Sequence, residues 1–366
     1  MRLLICAGGS GGGVYPALSV YQAMDADPTD VLWVGGAGGM ERPLVERENI
    51  PYTEIAAAGV HGVGLRTLPG NLIKLLRGFA QARQVIRTFK PDVMLFTGGY
   101  VAVPVALAGR RVPKLLYVPD IEPGLALKTL ARFSDHLALV AEDSKTYFSV
   151  RQASTVTGHP VREDLTQWTR DQALAHFKLS PDLPVLLVFG GSKGARSINR
   201  AVVGILPDLL DEMQIVHLTG RLDWEEVDTA RQMLSNVQQA NYRPMPYLHE
   251  MGAAYASADL ILSRGGASAV GEFPLFGLPA ILVPYPYAWR YQMVNAQHLA
   301  KNGAAIIIED ADLPAQALPT IRTLMRNVGK RQLMRDAMQT LAHPNAANEI
   351  AALLASISSS GRGRNL

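Results

Sequence analysis

Cysteine is nearly absent: Cys6 stands alone among 366 residues. A single thiol excludes an intramolecular disulfide framework and any multi-cysteine metal site, and it suits a reducing compartment, which makes the cytoplasm the expected location. Charge of one sign is also scarce. The 35 Lys and Arg against 32 Asp and Glu leave a net +3, which argues against a nucleic-acid binder held by global positive charge. No uncharged apolar run reaches the roughly 18 residues a membrane-spanning helix needs. The opening Met1-Arg2-Leu3-Leu4-Ile5-Cys6-Ala7 runs straight into glycines and is too short for a signal-peptide core, so it reads as a strand. None of the histidines form a ligand pair at helical spacing, and Asp25-Ala26-Asp27 and Asp310-Ala311-Asp312 read as solvated turn residues. No metal and no cofactor is therefore expected.

What the chain does contain is ample apolar material, 48% of residues, enough for two buried cores. Short Val, Leu and Ile runs end in Gly or Pro and alternate with helical periodicity, the pattern of parallel strands with crossover helices. Strands are expected near 2–7, 31–36, 53–57, 93–98, 114–119, 136–141 and 155–158. A second series is expected near 185–190, 215–219, 242–248, 260–263, 279–284 and 304–308. Each series supplies one doubly wound sheet, so the chain should hold two Rossmann-like α/β domains. Gly and Pro in Gly158-His159-Pro160-Val161-Arg162 place the boundary there. The expected division is 1–161, 162–342 and a segment 343–366, made of a helix near 346–356 and a disordered Ser/Gly/Arg tail.

Both halves begin alike, with a strand leading into Gly8-Gly9-Ser10-Gly11-Gly12 and another into Gly190-Gly191-Ser192-Lys193-Gly194. Such a turn before a helix presents unpaired N–H groups and a helix dipole to an anion. Nicotinamide chemistry is disfavoured. The G-x-G-x-x-G spacing fails at Val14 and Pro16, and Val34 leads into Gly35-Gly36 with no acidic residue to hold a ribose. A Walker loop is excluded because the sole Gly-Lys, Gly329-Lys330, precedes Arg331. Both turns do match the nucleophile elbow G-x-S-x-G, but no HGGG-type oxyanion loop accompanies them. Two copies opening two similar domains suit a cleft enzyme better than a hydrolase.

These residues resemble the MurG glycosyltransferases along nearly the whole chain. The resemblance rests on Gly8 to Gly12 with Pro16-Ala17-Leu18, on Pro91-Asp92-Val93 to Pro104, and on Pro160-Val161-Arg162. It continues through Gly190 to Asn199, Met251 with Ala253-Ala254-Tyr255, Ser263-Arg264 with Gly266-Ala267, Glu272, Gly277-Leu278-Pro279-Ala280, Gln292, and Asn295-Ala296. It implies the GT-B architecture, two Rossmann-like domains facing a cleft. The implied reaction is transfer of N-acetylglucosamine from UDP-GlcNAc to an undecaprenyl-diphosphate-linked muramyl-pentapeptide, inverting and without a metal, at the cytoplasmic face of the membrane. By the same resemblance the donor lies against Ser10, Gly11, Gly12, Arg162, Gly191, Ser192 and the helix start at Ala267, Ser268 and Ala269. Glu272 would hold the ribose, the backbone of Leu248 the uracil, and Gln292 the sugar. Gly13, Gly99 and Tyr100 fall on the acceptor side.

The sequence departs from the family at the proton-transfer step. Gly13 stands where the family carries a histidine, and Val118-Pro119-Asp120-Ile121-Glu122-Pro123 replaces its His-Glu-Gln-Asn segment. Candidate bases are then Asp120, which ranks first, Glu122 and His61. Another acceptor, a 2-epimerase or a catalytically silent UDP-sugar binder remain as alternatives. Finally, Arg66, Lys74, Arg77, Arg83, Arg87, Lys90, Arg110, Arg111 and Lys114 face one acid, Asp92, and surround Leu72, Ile73, Leu75, Leu76 and Phe79. That mixture suits peripheral docking on an anionic membrane; the plainer reading is a helix whose apolar face enters the core.

Overall fold

The computed structural model describes residues 1–8, 11–24, 26–39, 41–58, 68–287 and 291–362. It divides into two compact units, Met1–Arg162 joined by Pro344–Leu366, and Glu163–His343. The first unit holds β1 Leu3–Cys6, β2 Val31–Gly36, β3 Tyr52–Ile55, β4 Val93–Phe96, β5 Lys114–Val118, β6 His136–Leu139 and β7 Ser154–Val156. All pair in parallel, in the order β3-β2-β1-β4-β5-β6-β7. The second unit holds β8 Val185–Phe189, β9 Gln214–Leu218, β10 Tyr242–Met245, β11 Leu260–Ser263, β12 Ala280–Leu282 and β13 Ala305–Ile307. Its order, β10-β9-β8-β11-β12-β13, repeats that of the first six strands of the first sheet. Each expected strand is present, and the duplicated glycine turns mark a duplicated topology.

Alternation along each strand explains why these runs are continuously apolar. Leu3 and Ile5 enter one core layer of the first unit, while Leu4 and Cys6 enter the layer on the opposite face. The central strands β1, β4 and β8 are buried at every position, as crossover helices on both faces require. The helix Ala346–Arg362 returns to the first unit, where Ile350 and Leu354 pack with Val14, Leu18 and Leu95. It runs through Ser358 to Arg362, residues that composition alone assigns to a disordered tail. Ser358 is 5% exposed, so this helix face is held by packing rather than by the propensity of a serine run.

In both sheets the chain reverses its direction of growth between the first and fourth strands of the series. Ligands of open α/β sheets bind outside the carboxyl ends of the strands at such a switch point. The switches are β1 beside β4, with Cys6 opposite Phe96, and β8 beside β11, with Phe189 opposite Ser263.

Candidate functional site

In the second unit, the turn after β8 is open. Gly191 (φ +90°), Ser192 and Lys193 are exposed, and a Cβ at Gly191 would meet nothing within 4 Å. Gly194 closes the turn by accepting a left-handed φ of +78° and donating its N–H to Gly191 O at 2.9 Å. Its Cα lies so close to the next turn that a Cβ would stand 2.2 Å from Thr219 O, which is why no larger residue serves there. The helix Arg196–Val203 follows directly. Across the switch, β11 leads through Arg264-Gly265-Gly266 into the helix Ala267–Phe276. The first N–H groups of that helix have no intrahelical acceptor, so Ala267 and Ser268, both half-buried, bring backbone donors to the same rim as Ser192. Ala269 is buried, so its methyl group belongs to the core.

One turn into that helix, Glu272 is half-buried and accepts the Tyr255 phenol at 2.6 Å. Burial, and then the Glu272 carboxylate, raise the Tyr255 phenol well above its ordinary pKa, which keeps it a donor. Gln292, on the helix Tyr291–Lys301, accepts the Tyr285 N–H at 2.8 Å. Leu248 is half-buried on the loop after β10. The strand ends of this unit therefore gather Gly191, Ser192, Ala267, Ser268, Glu272, Gln292 and Leu248 on one rim.

Two buried networks behind this rim are invisible to motif reading. Asn199 donates to Thr219 O and to Asp223 Oδ2, both at 2.8 Å, and its Oδ1 faces His217 Nε2 at 3.0 Å; His217 Nδ1 faces Tyr242 Oη at 2.8 Å. Because the Asn199 nitrogen is committed, its oxygen must accept, so His217 is the neutral Nε2–H tautomer and Tyr242 donates to Nδ1. Burial pulls the His217 pKa down to about 3. The second network joins Arg264, Asp310 and Ser197. Asp310 is thus not the solvated turn residue its sequence suggests, because it faces a buried guanidinium. The signal that could have exposed His217 is a polar residue between the apolar Val216 and Leu218 inside β9.

In the first unit, Gly11 and Gly12 open the helix Gly11–Ala23, and Gly13 lies in its first turn. A Cβ on Gly13 would approach Thr97 Oγ1 to 3.3 Å, and the Thr97 hydroxyl donates to Gly13 O at 2.7 Å. Gly99 (φ +89°) sits against Gly8, where a Cβ would come within 2.9 Å of Gly8 O, and Tyr100 beside it is exposed. The switch point thus brings Gly13 against Thr97 and Gly99 against Gly8. Arg162 belongs to this unit and lies over the Tyr15 ring at 5.1 Å.

Asp120 is half-buried on the bend after β5. Glu122 is 7% exposed and paired with Lys128 at 3.4 Å. Next to them the buried Tyr117 hydroxyl meets His159 Nδ1 at 2.7 Å. Burial and then the Asp120 charge hold that phenol well above its usual range, and burial pulls His159 down to about 4. Ser10 and His61 lie outside the described residues.

On the helix Leu68–Phe89, Leu72, Ile73, Leu76 and Phe79 are 55%, 66%, 64% and 36% exposed, so these residues do not enter the core. Lys74, Arg77, Arg83, Arg87 and Lys90 are exposed along the same helix and its end. Lys114, counted among the surface bases by sequence, is 2% exposed instead and donates to Val112 O at 2.6 Å. Among the described residues no helix is long and apolar enough to cross a membrane, and no three His, Cys, Asp or Glu side chains converge as a metal site.

The glycosyltransferase family 28 N-terminal domain matches residues 3–138 and its C-terminal domain matches residues 185–350. A protein of Roseiflexus sp. is 39% identical over 97% of this chain and 94% of its own length, and one of Desulforamulus reducens is 36% identical over 96% and 97%. Both are named UDP-N-acetylglucosamine--N-acetylmuramyl-(pentapeptide) pyrophosphoryl-undecaprenol N-acetylglucosamine transferase. Among solved structures, Acinetobacter baumannii MurG aligns with a TM-score of 0.74 at 26% identity, covering 97% of this chain and 98% of that one. A UDP-GlcNAc 2-epimerase from Neisseria meningitidis shares the fold at a TM-score of 0.68 and 15% identity, over 97% and 100% of the two chains.

Proposed function

The chain belongs to glycosyltransferase family 28, and on that premise we propose that it transfers N-acetylglucosamine from UDP-GlcNAc to the undecaprenyl-diphosphate-linked muramyl-pentapeptide of peptidoglycan synthesis. The observation that carries this reading is the open turn at Gly191 and Ser192, set at the switch point beside the helix start at Ala267, with Glu272 and Gln292 on the same rim. Backbone N–H groups there are fixed before the reaction and aimed where diphosphate charge develops as UDP leaves, so stabilising the leaving group requires no divalent cation. Glu272 takes the ribose hydroxyls, the backbone at Leu248 the uracil, and Gln292 the sugar.

The first unit binds the acceptor near Gly13, Gly99 and Tyr100. Its hydroxyl attacks the anomeric carbon from the face opposite the leaving diphosphate, which inverts that centre. Gly13 has no side chain to take the proton, and Asp120 is the preferred base. It is the carboxylate after β5 that remains partly open to solvent, whereas Glu122 is buried against Lys128.

The helix Leu68–Phe89 docks this unit peripherally on the cytoplasmic face of the membrane. Exposed Leu72, Ile73, Leu76 and Phe79, flanked by Lys74 and Arg77, match an interfacial surface in which apolar side chains enter the headgroup boundary and bases meet anionic lipid.

Turnover of UDP-GlcNAc, with and without the lipid-linked acceptor and with and without chelator, tests the reading. UDP release that depends on the acceptor and persists in chelator is expected. UDP-GlcNAc binding without turnover would identify a silent binder, conversion to the 2-epimer an epimerase, and loss of donor binding in chelator restored by magnesium would refute the metal-independent cradle.

A further inference from the structure

We propose that Arg264, clamped by Asp310, is a positioning residue that sets the Gln292 carboxamide through Tyr285 and so controls how strongly UDP-GlcNAc is preferred over UDP. The proposal rests on the donor reading above, in which Gln292 meets the sugar.

Arg264 follows directly on the apolar strand β11 and is 8% exposed. A buried guanidinium is tolerated only when its charge is paired and its N–H groups are bonded. Both conditions hold within the protein itself. Nη1 donates to the Asp310 carboxylate and to Val283 O at 3.0 Å, and Nη2 donates to Ser197 Oγ at 2.8 Å. Ser197 in turn donates to Asp310 Oδ1 at 2.7 Å, which closes a ring of three side chains. A guanidinium already matched to a carboxylate is a poor receptor for a diphosphate, so its charge has another use.

That use lies on its flat face. The guanidinium stands over the Tyr285 ring, 5.2 Å from the centroid. Tyr285 is the residue whose backbone N–H meets Gln292 Oε1 at 2.8 Å. Only the oxygen of a carboxamide can accept an N–H, so this bond fixes which end of Gln292 faces Tyr285 and turns the amino end the other way. The next residue interlocks with the same helix: Gly265 O accepts Asn295 Nδ2 at 3.2 Å, and a Cβ on Gly265 would stand 2.5 Å from Gln292 O. Arginine suits the position where lysine would not, because its planar fork can hold Asp310 and Ser197 while one face covers a ring.

The test is calorimetry on the full chain with UDP and with UDP-GlcNAc. Tyr285, 43% exposed, can be changed without opening the core. Tyr285→Ala should weaken UDP-GlcNAc about 10-fold, as loss of a cation–π anchor allows, and UDP by less than about 2-fold. Tyr285→Phe, which keeps the ring, should restore both affinities. Arg264→Lys and Asp310→Asn should shift the two ligands in the same unequal way. Adding Tyr285→Ala to Gln292→Ala should cost nothing further, since both act through one carboxamide. Equal weakening of UDP and UDP-GlcNAc, or full additivity with Gln292→Ala, would overturn the proposal while leaving the donor reading intact. A parent protein that binds neither nucleotide would refute the donor reading and this proposal together.

Discussion

Replacing Glu272 by glutamine separates the job its carboxylate does inside the second unit from the ribose contact proposed for it. Inside the protein it accepts the Tyr255 phenol at 2.6 Å, and Tyr255 is only 2% exposed. Glu272→Ala would leave that phenol without its partner, at a cost of about 1 to 3 kcal/mol of stability, and any loss of binding would then be confounded with loss of fold. Glu272→Gln keeps an oxygen for the phenol and removes only the charge, so stability should change by less than about 1 kcal/mol. Toward the ligand the charge matters more. A hydrogen bond to a charged acceptor exceeds one to a neutral acceptor by about 1 kcal/mol, so two ribose hydroxyls lose about 2 kcal/mol, or about 30-fold in the Kd for UDP. Calorimetry with UDP and 2′-deoxy-UDP isolates the contact. The parent should lose affinity on deoxygenation, and Glu272→Gln should lose clearly less. If Glu272→Gln binds UDP within about 3-fold of the parent, or if both proteins penalise 2′-deoxy-UDP equally, Glu272 does not hold the ribose.

Three further outcomes are expected. Lys74→Glu with Arg77→Glu should lower sedimentation with anionic vesicles by about 30-fold or more, at about 1 kcal/mol for each base removed, and unchanged sedimentation would count against docking through this helix. His159 and His217 have folded pKa values depressed to about 4 and about 3, so their neutral forms give full stability above the unfolded value near 6.5 and that stability is lost as pH falls toward the folded values. At pH 5 each should already withdraw about 2 kcal/mol, read as a lower urea midpoint than at pH 7.5, and a variant lacking both histidines should show a flatter pH slope; an unaltered slope would contradict their neutral burial. For the base, Asp120→Asn should lower kcat by about 10² to 10⁴ with UDP affinity unchanged, and the assignment fails if Asp120→Asn, Glu122→Gln and His61→Ala all turn over within a few-fold of the parent.

The sheets were legible because a strand covered on both faces must be apolar at every position, and such runs ended by Gly or Pro are hard to hide. Even the short edge strands β3 and β7 lie where the pattern places them. Contacts between distant segments were not legible. Amphipathicity shows that the helix Ala346–Arg362 buries a face, but nothing local states that this face meets Val14 and Leu18. Lys114 reads as one more surface base until β5 is placed inside a sheet. Asp310 and Arg264 are 46 positions apart and become a pair only when the ends of β11 and β13 lie along one rim. Residues such as Ser192 and Gln292 stand out because they fall in short motif windows, whereas the side chains packed behind them are recruited from wherever the fold passes.

The two glycine turns show how far a repeated motif can carry an inference. By sequence they are equivalent, each a G-x-S-x-G between a strand and a helix at a switch point. Their surroundings differ. In the first unit Glu41 is 1% exposed and lodges its carboxylate against the glycines: a Cβ on Gly8 would stand 2.7 Å from Glu41 Oε1, and one on Gly39 2.3 Å, while Gly36 N–H donates to that oxygen at 3.1 Å. A carboxyl group lodged there fills the space beside Gly8 and already takes up the Gly36 N–H, which leaves less room and one donor fewer for an anion. The second turn carries no such guest. Gly191 has open space beside it, Lys193 is exposed, and the buried carboxylate of Asp223 is already occupied by Arg196 and Asn199 at 2.8 Å each. Of the two G-x-S-x-G turns, then, the second has the surroundings that suit the proposed diphosphate cradle.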